Sequence, residues 1–327
     1  MTILVTGGAG YIGAHVVRLL EQAGTDVVVV DNLSTGEASR IGNAKLVELD
    51  IATDAAVETL TNVMKENSVT AVIHFAAKKQ VGESVARPAY YYQQNVNGMA
   101  NVITAMEAAG TRDLVFSSSA ATYGMPPVAV VDEDVTAQPI NPYGETKLIG
   151  EWLGRDAAKA WGMRFAALRY FNVAGSGWDD LGDPAKLNLV TMVLERVKNG
   201  QEPMVFGADY DTPDGTCVRD YIHVLDLAKA HIAALDYLKQ DDRPVDVFNV
   251  GTGTGNSVTE VIDGLAKASG IEIKPIITDR RPGDPPHLVG SPERINKVLG
   301  WHATANLEEI LTSAWTAWQA GPDRIEL

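Results

Sequence analysis

A doubly wound parallel α/β sheet followed by a smaller mixed α/β lobe is the fold class that this sequence predicts. Three observations lead there. Short apolar, β-branched runs alternate with helix-length amphipathic segments at least six times before residue 175, which is the pattern of strands joined by crossover helices. The first run passes directly into a turn with three spaced glycines and then into a helix. Beyond Asn172 the elements shorten and a glycine and aspartate loop, Gly175 to Asp183, interrupts the alternation.

Met1 to Thr6 is the first strand, Gly7-Gly8-Ala9-Gly10-Tyr11-Ile12-Gly13 the turn, and Ala14 to Ala23 a helix that stops at Gly24. Gly7 permits the tight turn, Gly10 a close backbone approach to a pyrophosphate, and Gly13 the packing of helix on strand. The helix N-terminus attracts the phosphates. Asp26 to Asp31 reads as a buried parallel strand ending in an acid. Asp31 lies 18 residues after Gly13, where a carboxylate accepts from both ribose hydroxyls and repels a 2′-phosphate, so the spacing predicts NAD rather than NADP.

The alternation continues through a third strand at Lys45 to Leu49, a helix reaching Asn67, and a fourth strand at Ala71 to Phe75 that ends in the small residues Ala76 and Ala77. A long helix is predicted from Pro88 to Ala109, a fifth strand from Arg112 to Phe116, and Ser117-Ser118-Ser119 at its carboxyl end. Ligands of open α/β sheets bind at such ends. Serines there also serve simply to satisfy turn backbone. The acidic triplet Asp132-Glu133-Asp134 is expected in a solvated loop.

The next helix is built to carry a phenolate. Asn141 caps it and Pro142 fits its first position. Tyr143 and Lys147 then share one face, four residues apart. Free tyrosine titrates near ~10, and lowering that by about three units takes roughly 4 kcal/mol in favour of the anion. A nearby cation and the positive end of a helix both act in that direction. On its own the Tyr-x-x-x-Lys spacing is common on surfaces and weak as a signal.

A sixth strand follows at Phe165 to Tyr170. The second lobe then carries a helix near Leu187 to Lys198, strands at Met204 to Gly207 and Glu272 to Ile277, and helices at Ser257 to Ser269 and Leu307 to Gln319. Asp226 to Leu238 reads as helix, and Val245 to Val250 as a strand apolar enough to rejoin the main sheet. The expected division is therefore 1–174 for nucleotide binding, with return elements from about 216–250, and 175–327 for a smaller, interleaved lobe.

Composition narrows the function. Forty-two acidic against 27 basic residues give a formal charge of -15 without a basic run, which disfavours nucleic acid and anionic membrane surfaces. One cysteine, Cys217, precludes an intrachain disulfide, and the six histidines show no metal-ligand spacing, so no metal is expected. No signal core or span of eighteen apolar residues is present, so a cytoplasmic protein is expected.

Read together, Thr6 to Gly13, Asp31-Asn32-Leu33, His74-Phe75-Ala76-Ala77, Gly82-Glu83-Ser84-Val85, Phe116 to Ala120, Pro142-Tyr143-Gly144 with Lys147, Arg169-Tyr170-Phe171-Asn172 and Val218 to Val224 resemble the UDP-glucose 4-epimerases. These enzymes belong to the extended short-chain dehydrogenase/reductase group, with a Rossmann-type sheet. The resemblance runs from residue 1 to about residue 302. It implies tightly bound NAD used as a recycled oxidant in the reversible 4-epimerisation of UDP-galactose and UDP-glucose, an activity of galactose metabolism. In that role Tyr143 takes the proton of the sugar 4-hydroxyl, Lys147 lowers the phenol pKa and holds the nicotinamide ribose, and Ser119 orients the 4-oxygen. By the same resemblance the cofactor is lined by Gly7, Gly10, Tyr11, Ile12, Gly13, Asp31, Asn32, Leu33, Asp50, Ile51, Phe75, Ala76, Ala77, Lys79, Gln94 and Phe171, besides Tyr143 and Lys147. The UDP-sugar is held by Asn172, Asn188, Leu189, Val205, Phe206, Arg219, Arg281 and Asp284, with Ser119 and Tyr143. The arginines match phosphate oxygens in a chain otherwise acidic. The helix Pro88 to Ala109 and the one beginning at Tyr143 resemble those that form a four-helix bundle between subunits, so a homodimer is expected.

Four positions depart from the family pattern. Gln94-Asn95 replaces a pair of asparagines, Leu187-Asn188 another such pair, and the Gly175 to Asp183 loop is unusual. Leu288 stands where some relatives have a tyrosine walling the sugar pocket, which suggests room for an N-acetyl group. Rival readings are a 4-epimerase of UDP-N-acetylhexosamine, UDP-pentose or UDP-uronate, a nucleotide-sugar 4,6-dehydratase, and a non-catalytic NAD-binding module. Dehydration needs carboxyl groups after the fifth strand, where this chain has Ser119-Ala120-Ala121-Thr122-Tyr123. A module that only binds has no need of Ser119, Tyr143 and Lys147 together.

Overall fold

A computed structural model describes residues 1–240, 245–281 and 283–322. The chain divides into two compact units. One comprises Met1–Gly124, Thr136–Arg169 and Ala228–Phe248; the other comprises Met125–Val135, Tyr170–Leu227 and the chain from Asn249 onward.

The first unit is built on a seven-stranded sheet ordered Val245–Val250, Arg164–Tyr170, Asp113–Ser117, Val69–His74, Thr2–Thr6, Asp26–Asp31 and Lys45–Glu48. The five registers from Arg164–Tyr170 across to Lys45–Glu48 are all parallel. The chain starts in the middle, winds outward through Asp26–Asp31 and Lys45–Glu48, then crosses to the other side of Thr2–Thr6. That reversal opens a crevice beyond the carboxyl ends of Thr2–Thr6 and Val69–His74, the place where such sheets bind ligands. The central strands are buried on both faces, as their valine and isoleucine content requires. Leu4, Val28, Val72, Leu114, Phe116 and Phe165 form the core together with Leu60, Met64, Val102 and Met106 from the helices.

The helix Pro142–Trp161 begins as its sequence dictates. The Asn141 side-chain oxygen accepts from Gly144 N at 2.9 Å, Pro142 occupies the first turn, and Gly162 ends the helix at φ 77°. Its small residues bring it flush against the sheet. A Cβ at Gly150 would lie 2.6 Å from the Phe116 ring, one at Gly154 would overlap Phe165, and Gly144 backs onto the Ala121 carbonyl.

The second unit has a five-stranded sheet in which Val218–His223 pairs antiparallel with Gly255–Ser257 and parallel with both His287–Gly290 and Asn172–Ala174. Val130–Val131 completes the sheet beside His287–Gly290. A separate parallel pair joins Met204–Phe206 to Ile276–Thr278. Capping boxes start the helices Val258–Ser269, through Ser257 and Glu260, and Leu307–Ala320, through Asn306 and Glu309. Trp318 is buried in this unit's own core with Val193, Leu194, Ile262 and Leu265, and Trp315 packs against that core.

Four sequence expectations are corrected here. The helix expected over Pro88 to Ala109 is interrupted, with a π-helical stretch at Tyr92–Asn97 between Pro88–Tyr91 and Gly98–Ala109; such widened turns cluster at functional sites. Glu133 is not solvated like its neighbours. Its side chain is 2% exposed, accepts from Asn249 N at 2.7 Å and faces Arg294. The loop at Gly175 to Asp183 contains a 3-10 turn, Asp179–Leu181, pinned by the fully buried Leu181. Glu272 and Lys274 pair in an exposed segment, and the strand expected from Glu272 is limited to Ile276–Thr278. Among the described residues no helix is long and apolar enough to cross a membrane.

Candidate active site

At the crevice of the first unit, the turn after Thr2–Thr6 is shaped by what cannot fit. Gly7 has φ 70°, and a Cβ there would sit 2.7 Å from Ala76 N; a Cβ on Gly13 would overlap the Gly7 carbonyl. Thr6 Oγ1 and His74 Nδ1, 2.8 Å apart, bind the two strand ends together, and Phe75 N donates to the Thr6 carbonyl at 2.9 Å. Burial, with the charge of Lys147 adding to it, pushes His74 down to about 3, so it is a neutral structural bridge. The helix Tyr11–Gln22 starts at Gly10 with no side-chain cap and no acid in its first turn. Its first N–H groups and its positive dipole are thus kept for an anion.

Asp31 ends its strand 8% exposed. One carboxylate oxygen accepts from Ala9 N at 3.0 Å and the other from Leu33 N at 2.9 Å, with Leu33 held at φ 53°. Two fixed hydrogen bonds orient the carboxylate and leave each oxygen acceptor capacity for a further donor. Asn32 accepts from Ser34 N at 3.1 Å. Asp50 accepts from Ala52 N at 2.9 Å, and Ile51 is buried against Gly98. Phe75 packs against His231 with ring centroids 4.6 Å apart and the planes tilted by 45°. Ala76 and Ala77 are half-buried, Lys79 is exposed, and Gln94 is half-buried in the π-helical stretch.

Sequence reasoning placed a cofactor contact on Gln94 and missed the part played by Asn95. Asn95 is buried; its side chain accepts from Lys78 N at 2.7 Å and donates to the Lys78 carbonyl at 3.0 Å and to Thr146 Oγ1 at 3.0 Å. It ties the loop after the fourth strand to the helix that carries Tyr143. The signal was available in the invariant chemistry of an amide, which offers both donors and an acceptor at one position.

The structure brings Ser119, Tyr143 and Lys147 together. Ser119 is 8% exposed and its oxygen accepts from Ala121 N at 3.1 Å, so it does cap the short turn Ala120–Tyr123. It also acts on the Tyr143 phenol, in the direction that favours the anion. Lys147 donates to the Ser117 carbonyl at 2.7 Å, with its ammonium 5.9 Å from the Tyr143 ring centroid and 5.1 Å from that of Phe116. The electrostatics differ from the sequence expectation. Burial pushes the Tyr143 phenol up, opposed by Ser119. Burial likewise lowers Lys147 to about 7, opposed by the charge of Glu151. Desolvation is the larger cause in each case because both groups are almost wholly enclosed.

In the second unit, Arg219 donates to the carbonyls of Val218 at 2.9 Å and Pro285 at 2.7 Å and lies 3.5 Å from Asp284. The Arg281 guanidinium stacks 3.6 Å from the centroid of Phe206, whose neighbour Val205 is buried. Pro282 lies outside the described residues. Asn188 caps the helix Leu189–Lys198 by accepting from Thr191 N at 3.0 Å and donates to Asp183 at 2.8 Å. Phe171 is buried against Gly290, and Asn172 opens the strand Asn172–Ala174. His223, read from the sequence as structural, lies with Nε2 3.0 Å from Ser313 Oγ and accepts at Nδ1 from Leu225 N at 3.0 Å. Among the described residues no group of three or more histidine, cysteine or acidic side chains is arranged to hold a metal ion.

Comparison with known proteins agrees with this geometry. Residues 3–251 match the model of the NAD dependent epimerase/dehydratase family. A UDP-glucose 4-epimerase of Azospirillum brasilense is 45% identical over 304 residues, covering 91% of this chain and 86% of that protein. The crystal structure of UDP-glucose 4-epimerase from Brucella ovis in complex with NAD superposes with a TM-score of 0.91 at 41% identity, covering 96% of this chain and 97% of that one. The enzyme of the same name from Bifidobacterium longum, in complex with NAD+ and UDP, gives 0.90 at 37% identity over 99% of each chain. This chain belongs to the NAD dependent epimerase/dehydratase family and, within it, to the UDP-glucose 4-epimerases.

Proposed function

We propose that this protein interconverts UDP-galactose and UDP-glucose by NAD-dependent 4-epimerisation through a transient 4-keto sugar. The observation that carries the reading is the enclosed cluster of Ser119, Tyr143 and Lys147 in the same unit as a glycine turn that leaves no room for a side chain at Gly7 or Gly13. The residues fit NAD. The uncapped helix after Gly10 takes a pyrophosphate, and Asp31, pre-oriented by two backbone donors, suits an adenosine ribose with free hydroxyls. NAD, when bound, supplies a hydride acceptor that is regenerated in each turnover.

The chain's own groups then handle the proton. The Tyr143 oxygen takes it from the sugar 4-hydroxyl and returns it when the keto group is reduced from the other face. Ser119 orients the 4-oxygen, and the Lys147 ammonium favours the phenolate and donates to the nicotinamide ribose. Enclosure raises the phenol's proton affinity, which holds the proton on Tyr143 until the charge of a bound ligand offsets it. Asn172, Asn188, Leu189, Val205, Phe206, Arg219, Arg281 and Asp284 are assigned to the UDP-sugar, with Arg219 and Arg281 on the phosphates. The first unit is assigned to the cofactor and the second to the substrate.

The test is to incubate the purified protein with UDP-galactose, adding no cofactor, and to follow UDP-glucose by chromatography. Interconversion supports retained NAD; no conversion even with added NAD, for any UDP-sugar, supports a binding module instead.

One observation favours a second substrate. Leu288 is the register partner of Arg219 across neighbouring parallel strands, so a change of its bulk is felt beside a residue assigned to the phosphates. Turnover of UDP-N-acetylgalactosamine is expected to fall about tenfold or more in Leu288→Tyr, with UDP-galactose much less affected. Equal rates for the two proteins would remove position 288 from the specificity of the site. A cytoplasmic homodimer joined through a four-helix bundle completes the proposal. Trp152, 49% exposed on the helix Pro142–Trp161, offers that contact an apolar anchor. Light scattering at micromolar concentration is expected to give twice the mass of the 35.0 kDa chain; a monomer mass would reject it.

A further inference from the structure

One turn beyond Lys147, on the stripe that carries Tyr143, lies Glu151, which is 1% exposed. Its carboxylate accepts from three donors. Arg169 donates Nε to Oε1 at 2.8 Å and Nη2 to Oε2 at 2.6 Å, and the Ser118 hydroxyl donates to Oε1 at 2.5 Å. Arg169 in turn lies over the Tyr123 ring, 4.8 Å from its centroid. Stability alone gives little reason for this. A buried ion pair is often no better than apolar residues of the same shape, because both charges lose their water. The sheet and helix beneath are already packed through Phe116 and Phe165 against Gly150 and Gly154.

What the pair does reach is the serine triplet. Ser118 is fully buried and sits between Ser117, whose carbonyl holds the Lys147 ammonium at 2.7 Å, and Ser119, which acts on the Tyr143 phenol in the direction that favours the anion. Consecutive residues of one strand end are therefore bound to the same helix, by Lys147 at Ser117 and by Glu151 at Ser118. We propose that Glu151, locked by Arg169, is a positioning residue for the epimerisation: through Ser118 it sets the backbone of Ser117 to Ser119, and with it the direction of the Ser119 hydroxyl and the seat of Lys147. This rests on the reading of Ser119, Tyr143 and Lys147 as the proton-handling cluster.

The test uses Ser118→Ala, since Glu151→Ala would strand Arg169 in the interior and endanger folding. Removing one hydroxyl leaves Glu151 its two bonds from Arg169. With UDP-galactose as substrate, kcat is expected to fall about ten- to hundredfold, the cost of sub-ångström misplacement of reacting groups, while KM, NAD content and melting temperature stay close to wild type. Ser118→Cys keeps a weaker donor of similar shape and is expected to recover part of the loss. A Ser118→Ala kcat within about twofold of wild type, or a loss matched by a lower melting temperature and not recovered by cysteine, overturns the proposal. Tyr143→Phe is measured alongside. If it keeps full turnover, the assignment of the cluster fails; if it is inactive while Ser118→Ala is not impaired, only the positioning role fails.

Discussion

Replacing Tyr143 by phenylalanine is expected to lower interconversion of UDP-galactose and UDP-glucose by about 10²- to 10⁴-fold, the usual worth of a positioned acid-base group. The substitution removes one oxygen from a residue 8% exposed and leaves the ring to pack. NAD content and melting temperature are therefore expected to change little. The loss belongs in kcat rather than KM, because the phenol oxygen matters most while the proton is in transit. A variant with comparable kcat would show that another group moves the proton.

Lys147→Met is expected to lower kcat by about 10²-fold or more and, at the same time, to raise the melting temperature near neutral pH. The two effects share one cause. Burial depresses the Lys147 pKa to about 7, against about 10.4 for a lysine in an unfolded chain. Below about 7 the side chain is charged in both states, and the folded protein bears the full cost of enclosing it. Between about 7 and 10.4 the unfolded state binds more protons than the folded one, so stability rises with pH and the cost fades. Methionine carries no such cost. Its thermal advantage is expected to be largest near about pH 6 and to shrink by about pH 9, as differential scanning calorimetry would record. An advantage that grows with pH would mean that the lysine sits in a more polar environment than its burial implies.

Much of the first unit was legible because its signals are local. Strand, glycine turn, helix and terminal acid follow one another within Thr2 to Asp31, and each has a short-range physical reason. The cap at Asn141 and the proline at 142 defined the start of the catalytic helix for the same reason. What escaped was set by tertiary contacts. The π-helical stretch at Tyr92–Asn97 leaves the apolar periodicity almost untouched, so a continuous helix was the natural reading. Glu133 reads as one acid among three, and only the fold supplies Asn249 and Arg294 as its partners.

The sign of the Tyr143 shift was misjudged because spacing reports which charges are near but not how much water is gone. Glu151 lies on the buried stripe of Tyr143 and Lys147, but its meaning depended on Arg169, from another strand, and on Ser118, just past the end of Asp113–Ser117. The residues assigned to the UDP-sugar were legible only through family resemblance, since Asn188, Val205 and Arg281 carry no local signature of their own.

The reaction is tested most directly by following the hydrogen at C4. UDP-galactose deuterated at that carbon, incubated with the purified protein in ordinary water, is expected to give UDP-glucose that keeps its deuterium at C4, as read by mass spectrometry and nuclear magnetic resonance. Retention means that the hydrogen leaves and returns within an enclosed site while Tyr143 handles the exchangeable proton. Loss of the label to solvent would contradict transient oxidation at C4 by retained NAD and would require a proton-abstraction route in its place.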